Sequence, residues 1–206
     1  RDLRMSRGLG DVYKRQVDNA LSGYTEKDKN GIYKTQASGT CIDNDTGKVV
    51  AIVGGREQKN IGYTLNRAFQ SPRQPGSAIK PLLVYAPALE HGWSAGSTVN
   101  DSPMSTKDKN RVRNSHGSYS GQISLRRAVQ KSSNVATMRI YEQLTPKTCL
   151  KYLEEMNFKY LTDSDYKYYT TCIGGFTKGT TSEEMAAGYA LSLIHISEPT
   201  RHAQIS

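Results

Sequence analysis

The 206-residue chain has only three cysteines and four histidines, and this scarcity limits the chemistry that it can carry. Cys41, Cys149 and Cys172 are odd in number and widely spaced, and no Cys-x-x-Cys pair or Cys/His cluster has the spacing of a metal site. We expect all three to be buried as small apolar side chains. His91 and His116 lie in glycine-containing loop sequence, and neither is assigned a catalytic role. We therefore expect no metal ion and no cofactor.

Long apolar runs are also missing. No stretch approaches the roughly 20 apolar residues of a membrane-spanning helix, so a membrane anchor would have to lie upstream of the chain. The net charge is +9, or +6 without the two terminal segments discussed next. Such a mild positive balance suits work beside anionic lipid or a polyanionic wall polymer but is equally ordinary for a soluble domain. Because no nucleic-acid-binding motif accompanies the charge, no nucleic-acid partner is expected.

The two ends of the chain have the pattern of translated adapter DNA. Residues 1–16 can be encoded by a DNA string whose reverse complement translates as residues 191–206 without a mismatch. Two unrelated segments would not meet that constraint by chance, and the string resembles a transposase sequencing adapter. A signal peptide is the alternative for the first segment, but the apolar run it needs is absent. We expect residues 17–190 to be natural sequence, cut from a gene at both sides; without the ends, whose net charge is +3, the +9 becomes +6.

The most informative pattern is a serine and a lysine three residues apart, directly after a turn signal. Pro75-Gly76 predicts a turn, and the apolar residues after it predict a helix over residues 77–90. Residues three apart on a helix share a face, so the Ser77 hydroxyl and the Lys80 amine can meet. A buried, neutral lysine can take the proton of the serine and so make it a nucleophile. A second Ser-x-x-Lys, at residues 164–167, lies in polar sequence without a helix-start signal, and we expect it on the surface.

Three segments around this pattern carry a family resemblance: Asn66-Arg67-Ala68, Arg73-Gln74-Pro75-Gly76-Ser77 and Lys80-Pro81. They resemble the active-site serine region of penicillin-binding proteins, in the form found in the class A, bifunctional cell-wall synthases. That superfamily combines Ser-x-x-Lys with Ser-x-Asn and Lys-Thr-Gly motifs. Ser132-Ser133-Asn134 has the form of the second motif, although serine and asparagine are also common helix caps.

The resemblance assigns a role to each motif residue. It implies that Ser77 is the nucleophile and that Lys80 is its base. It implies that Ser132 relays a proton between Lys80 and the leaving amine, and that Asn134 binds the peptide carbonyl of the substrate and helps to position Lys80. Residues 174–181 resemble the family's Gly-Gly-x-x-x-Gly loop, so the lysine in that segment is not the lysine of the third motif.

The rest of the chain yields a coarse secondary-structure prediction. Two β-rich runs that flank residues 45–48 predict a hairpin, and Ser124 predicts the cap of a helix that ends at residues 131–134. Further helices are predicted through about Leu144, over residues 146–160, and from Ser182 onward. Residues 92–121, rich in glycine, serine and asparagine, predict loops over a cleft.

The resemblance implies the mixed α/β (α+β) fold of penicillin-binding proteins and serine β-lactamases. On this interpretation residues 17–38 are a linker leading into the domain, and residues 39–190 are a partial transpeptidase domain truncated before the Lys-Thr-Gly strand. The Lys-Thr-Gly motif does not occur among the 206 residues. In the family that strand holds the substrate carboxylate and supplies an oxyanion-hole N–H, so we expect the chain alone to be inactive. The complete gene product, called the parent protein below, is expected to acylate Ser77.

The resemblance implies that the parent protein is a peptidoglycan D,D-transpeptidase that cross-links stem peptides ending in D-Ala-D-Ala. It would need no cofactor, bind β-lactams as inhibitors, be anchored to the membrane, and act on the extracytoplasmic face of a bacterial cell membrane. One alternative is a D,D-carboxypeptidase or serine β-lactamase, against which the Asn66-Arg67-Ala68 lead-in argues. The other is a non-catalytic β-lactam sensor module. A glycosyltransferase domain upstream would favour the synthase, and a membrane sensor would favour the last.

Overall fold

Helices alternate with two antiparallel strand pairs in residues 3–56, 65–105 and 111–197, the part of the chain that the computed structural model describes. In chain order the α-helices and strands are α1 (Leu3–Ala20), β1 (Gly39–Asp43), β2 (Lys48–Val53), α2 (Arg67–Gln70), α3 (Ala86–Glu90), β3 (Thr98–Asp101), β4 (Gly121–Ser124), α4 (Leu125–Gln130), α5 (Asn134–Leu144), α6 (Pro146–Glu155), α7 (Asp163–Lys167) and α8 (Ser182–Ser197). Shorter helical turns occupy Gly76–Ile79, Pro81–Tyr85 and Tyr169–Ile173.

The chain divides into two compact units, one formed by Arg1–Pro72 with Thr181–Ser206 and the other by Arg73–Thr180. All four predicted site residues belong to the second unit. No helix in the described ranges is both long enough and apolar enough to cross a membrane.

The first unit is built on the predicted β-hairpin. β1 and β2 pair antiparallel with a bulge at Cys41 and Ile42, and the turn between them contains Gly47 at a φ of +66°. α1 packs on β2, and α8 packs on β1 and α2. The side chain of Asn66 caps α2 by accepting a hydrogen bond from the Ala68 N–H at 3.1 Å. The antiparallel pairing of β1 with β2 confirms the predicted hairpin.

The described residues of the two segments predicted to be adapter, 3–16 and 191–197, lie in α1 and α8. α1 continues past residue 16 as far as Ala20, and α8 continues past residue 190 as far as Ser197. Residues 1–2 and 198–206 lie outside the described part of the chain. The adapter assignment rests on the coding strings rather than on conformation, and it stays a prediction.

The second unit packs its apolar side chains around α5. Residues 135–138, 140 and 141 of α5 are fully buried because the helix is enclosed by the Tyr169–Ile173 and Pro81–Tyr85 turns, α6 and β3. The core comprises Leu82, Leu83, Val84, Ala88, Ala128, Val135, Ala136, Met138, Ile140, Tyr141, Cys149, Leu150, Leu153 and Cys172. Cys149 and Cys172 are buried as predicted, whereas the burial predicted for Cys41 is wrong, because β1 is half-exposed there.

The helix predicted over residues 77–90 is present but irregular. A 3₁₀ turn over Gly76–Ile79 is followed by a π-helical turn over Pro81–Tyr85 and then by α3. Pro81 has no N–H to donate, and its carbonyl accepts from the Ala86 N–H five residues later. The proline therefore separates two kinds of helical turn, with Lys80 at the junction.

Three other predictions need correction. Residues 92–121 are not only loop, because β3 pairs with β4 across this region. The helix predicted over residues 146–160 ends at Glu155, since Asn157 adopts a φ of +63° that no helix can continue through. Residues 164–167 do follow a helix-start signal: Thr162 and Asp165 form a capping box at the start of α7.

Candidate active site

Ser77 lies on the tight turn that precedes the buried helix. Gly76 adopts a φ of +56°, which glycine reaches without strain, and this bend starts the 3₁₀ turn. The Ser77 side chain is exposed, and among the described residues its hydroxyl has no hydrogen-bond partner. The Lys80 N–H donates to the Ser77 carbonyl, so the two residues are one turn apart. Ser77 therefore presents an unengaged hydroxyl to solvent, one turn before a buried lysine.

Lys80 is buried, with 1% of its surface exposed, although it carries an amine. Its Nζ donates to the Ser132 carbonyl at 2.8 Å, to the Ser132 Oγ at 3.2 Å and to the Asn134 Oδ1 at 2.7 Å. Removal from water disfavours the charged form, and this burial lowers the pKa of the Lys80 amine from 10.5 to about 8. About a tenth of the amine is thus neutral at pH 7.

The turn between α4 and α5 brings Ser132 and Asn134 to Lys80. Ser132 adopts a φ of +48°, and Ser133 is the N-cap of α5, its Oγ accepting from the Ala136 N–H at 3.0 Å. Capping is thus done by the middle residue of Ser132-Ser133-Asn134. The outer two residues, Ser132 and Asn134, contact the Lys80 amine instead. The motif therefore both caps α5 and contributes to the site.

The structure brings Lys80, Ser132 and Asn134 together, but no hydrogen bond joins the Ser77 Oγ to the Lys80 Nζ. All three amine hydrogens of a charged lysine are taken up by the second motif. A neutral amine has only two hydrogens and one lone pair, so one of these three contacts must then be lost or reversed. Of the three partners only the Ser132 hydroxyl can donate, so the lone pair either accepts from that hydroxyl or is free to take the proton of Ser77.

Asn114 and Asp101, to which the sequence analysis gave no role, hold the second motif through hydrogen bonds. Asn114, 4% exposed, accepts through Oδ1 from the Asn134 N–H at 2.9 Å and the Val135 N–H at 3.2 Å. Its Nδ2 donates to the Asp101 Oδ1 at 2.8 Å, and the same oxygen accepts from the Ser133 Oγ at 2.6 Å. The start of α5 is thereby fixed against β3.

Asn114→Ala is expected to lower the free energy of unfolding by about 2 kcal/mol, because the N–H groups of Asn134 and Val135 lose their acceptor inside the protein. Asn100→Ala is the matched control, since the Asn100 Oδ1 is buried and has no partner among the described residues. Chemical denaturation of both variants checks the prediction. Equal stability of the two variants would contradict it.

Two other lysines considered in the sequence analysis are exposed rather than buried. Lys178, excluded above as the lysine of the third motif, is exposed, and so is Lys167 of the second Ser-x-x-Lys. Within the described ranges no group of three or more His, Cys, Asp or Glu side chains is placed to hold a metal ion. The hydroxyls, the amine and the amide described above can serve proton transfer to and from an alcohol.

Comparison with known sequences finds one family over most of the chain. A family model described as the penicillin binding protein transpeptidase domain matches residues 37–197. The chain is 38% identical over 175 residues to penicillin-binding protein 1A of Clostridium perfringens, a match that covers 81% of the chain and 25% of that protein. It is 35% identical over 155 residues to penicillin-binding protein 4 of Bacillus subtilis, covering 75% of the chain and 24% of that protein. The chain thus spans about a quarter of the length of these curated relatives.

Solved structures agree in fold. Penicillin-binding protein 1A from Haemophilus influenzae superimposes with a TM-score of 0.64 at 28% identity, covering 81% of the chain and 25% of that structure. PonA1 from Mycobacterium tuberculosis in complex with penicillin V superimposes with a TM-score of 0.66 at 22% identity, covering 85% and 47%. The mixed helix-and-strand fold predicted from the sequence is confirmed.

Proposed function

Because the chain belongs to the penicillin-binding protein transpeptidase domain family, we propose that residues 39–190 are part of a serine D,D-transpeptidase that cross-links peptidoglycan. The observation that carries the proposal is the Lys80 amine, buried and bonded to Ser132 and Asn134 one turn after an exposed Ser77. The Lys-Thr-Gly motif itself does not occur among the 206 residues, so the activity is proposed for the parent protein.

Acylation begins at Ser77. Its Oγ attacks the carbonyl between the two terminal D-Ala residues of a stem peptide, and its proton passes to the neutral Lys80 Nζ. A new O–C bond forms and the C–N bond breaks, so an acyl-enzyme remains and D-Ala leaves as an amine. The Ser77 hydroxyl makes no bond to the amine before substrate binds, and contacts of this kind tighten in the complex.

Ser132 carries the proton onward. Its hydroxyl lies 3.2 Å from the Lys80 Nζ, so it can accept an amine hydrogen while it donates its own to the departing D-Ala nitrogen. In the second half-reaction an amine of a neighbouring stem peptide attacks the ester, its proton returns by the same route, and Ser77 is released. The Asn134 amide keeps the amine in place through its 2.7 Å contact and binds the peptide carbonyl of the donor.

The proposed activity belongs to the synthesis of the bacterial cell wall. The relatives are named penicillin-binding proteins, and the substrate is a polymer outside the cytoplasm. We therefore place the domain on the extracytoplasmic face of the membrane, with the anchor upstream of the chain and with β-lactams as covalent inhibitors at Ser77.

Product analysis separates this function from its alternatives. The parent protein is incubated with nascent peptidoglycan whose stem peptides end in D-Ala-D-Ala, and released D-Ala is compared with cross-linked peptide dimers. A transpeptidase releases one D-Ala for each cross-link formed. Release of D-Ala without dimers would replace the proposal by a carboxypeptidase, turnover of a penicillin by a β-lactamase, and a penicillin adduct with neither product by a sensor.

A further inference from the structure

The turn that carries Ser77 packs against a second segment, Gly174–Thr180. Arg73 and Thr180 exchange two backbone hydrogen bonds, Arg73 N–H to Thr180 carbonyl and the reverse, both at 2.8 Å. The Gln74 side chain donates from Nε2 to the Phe176 carbonyl at 3.1 Å. The turn is therefore tied to this segment at both of the residues that lead into Pro75-Gly76.

Backbone lies directly against backbone at two points of this contact. Gly174 has a φ of +93°, and a Cβ placed on it would lie 2.2 Å from the carbonyl oxygen of Gly76. Gly179 has a φ of +95°, and a Cβ there would lie 2.3 Å from the carbonyl carbon of Arg73. Such contacts have no flexible side chain between them, so a shift of Gly174–Thr180 is transmitted to Gly76, the residue before Ser77.

One buried carboxylate anchors the enclosing segment. Asp165 is 1% exposed, and its Oδ1 accepts from the N–H of Thr177 at 2.7 Å and from the Thr177 hydroxyl at 3.0 Å. Its Oδ2 accepts from the N–H of Thr162 at 2.8 Å and from the Thr162 hydroxyl at 2.9 Å. Four donors thus converge on one side chain, which joins the start of α7 to the middle of Gly174–Thr180.

We propose that Asp165 is a positioning residue for the nucleophile: it fixes Gly174–Thr180, which in turn fixes the turn that carries Ser77. The inference rests on the proposed function, and Asp165 itself touches no reacting atom. Charge-assisted hydrogen bonds are about twice as strong as neutral ones, so a fully bonded buried carboxylate is a suitable anchor. Its loss relaxes Gly174–Thr180 and spreads the Ser77 Oγ over many positions, of which few are productive.

Acylation kinetics of the parent protein test this inference. Asp165→Ala is expected to lower the first-order acylation rate constant with a penicillin by about tenfold or more, since small misplacements of reacting groups are costly. The dissociation constant of the initial non-covalent complex should change less than about twofold, because Asn134, the proposed substrate-binding residue, is held by Asn114 and not by Asp165. Asp163→Ala, an exposed acidic residue on the same helix, is the control and should leave both constants unchanged. An unchanged rate constant in Asp165→Ala would overturn the inference.

Two further measurements keep the test decisive. If Asp165→Ala does not fold, Thr177→Val takes its place. It removes only the hydroxyl bond to Asp165, leaves the Thr162 bonds in place, and should lower the same rate constant by roughly threefold. Amide hydrogen exchange over residues 73–80 needs no activity: it should be faster in Asp165→Ala, or in Thr177→Val, and unchanged in Asp163→Ala. Unchanged exchange in these variants would reject the positioning role, whether or not the proposed function is correct. A wild-type protein that forms no adduct at Ser77 would reject the proposed function alone.

Discussion

Replacing Lys80 by methionine in the parent protein is expected to lower the rate of acylation by a penicillin by roughly 10³-fold. Methionine has a similar length and fills the buried site, but it cannot accept the Ser77 proton, and general-base catalysis contributes about 10²–10⁴-fold. Stopped-flow mixing with a chromogenic penicillin measures the rate.

The second Ser-x-x-Lys of the chain supplies the control for this experiment. Lys167 ends α7 and is exposed, so Lys167→Met changes the same residue type outside the site and should leave the rate within twofold (a margin of about 0.4 kcal/mol). If both variants lost activity equally, or if Lys80→Met kept the wild-type rate, Lys80 would not be the base.

Ser77→Ala is expected to abolish the covalent adduct while leaving the protein as stable as the wild type. The hydroxyl is exposed and has no partner among the described residues, so its removal should change the free energy of unfolding by less than about 0.5 kcal/mol. Intact-protein mass spectrometry after penicillin treatment, together with chemical denaturation, checks both halves.

Ser164→Ala is the matched control, because Ser164 occupies the same position in the second Ser-x-x-Lys. In Ser164→Ala the penicillin adduct should form on Ser77 and at the wild-type rate. An adduct that persisted in Ser77→Ala would move the nucleophile to another residue and end the proposed mechanism.

Local signals in the sequence predicted several elements of the fold well. The turn before Ser77, the hairpin, the Ser124 cap and the start of α5 are each set by a few neighbouring residues. Glycine, proline and capping side chains act over one turn, so the sequence shows them directly.

What the sequence did not show depends on residues far apart in the chain. Asp101 and Asn114 meet Ser133 only because β3 and β4 pair across an irregular segment. Asp165 lies in a polar run that predicts a surface, and its burial depends on Thr177, which arrives from the following loop. Tertiary contact, rather than local preference, decides each of these positions.

For Lys80, too, some features were predicted from the sequence and others are visible only in the folded chain. Spacing alone placed it one turn from Ser77, and its burial was a requirement of the proposed role. The contacts with Ser132 and Asn134, and the absence of one with Ser77 before substrate binds, required the folded chain.

The central claim is that an uncharged amine at position 80 activates the hydroxyl at position 77, and the pH dependence of acylation tests it most directly. The pKa of Lys80 is lowered to about 8 by burial, so the neutral fraction rises from about a tenth at pH 7 to about nine-tenths at pH 9. We predict that the acylation rate constant of the parent protein rises roughly tenfold across this range, with a midpoint near pH 8, and that Lys80→Arg, which stays charged, loses the rise. A wild-type rate constant that is flat or falling between pH 7 and pH 9 would contradict the account.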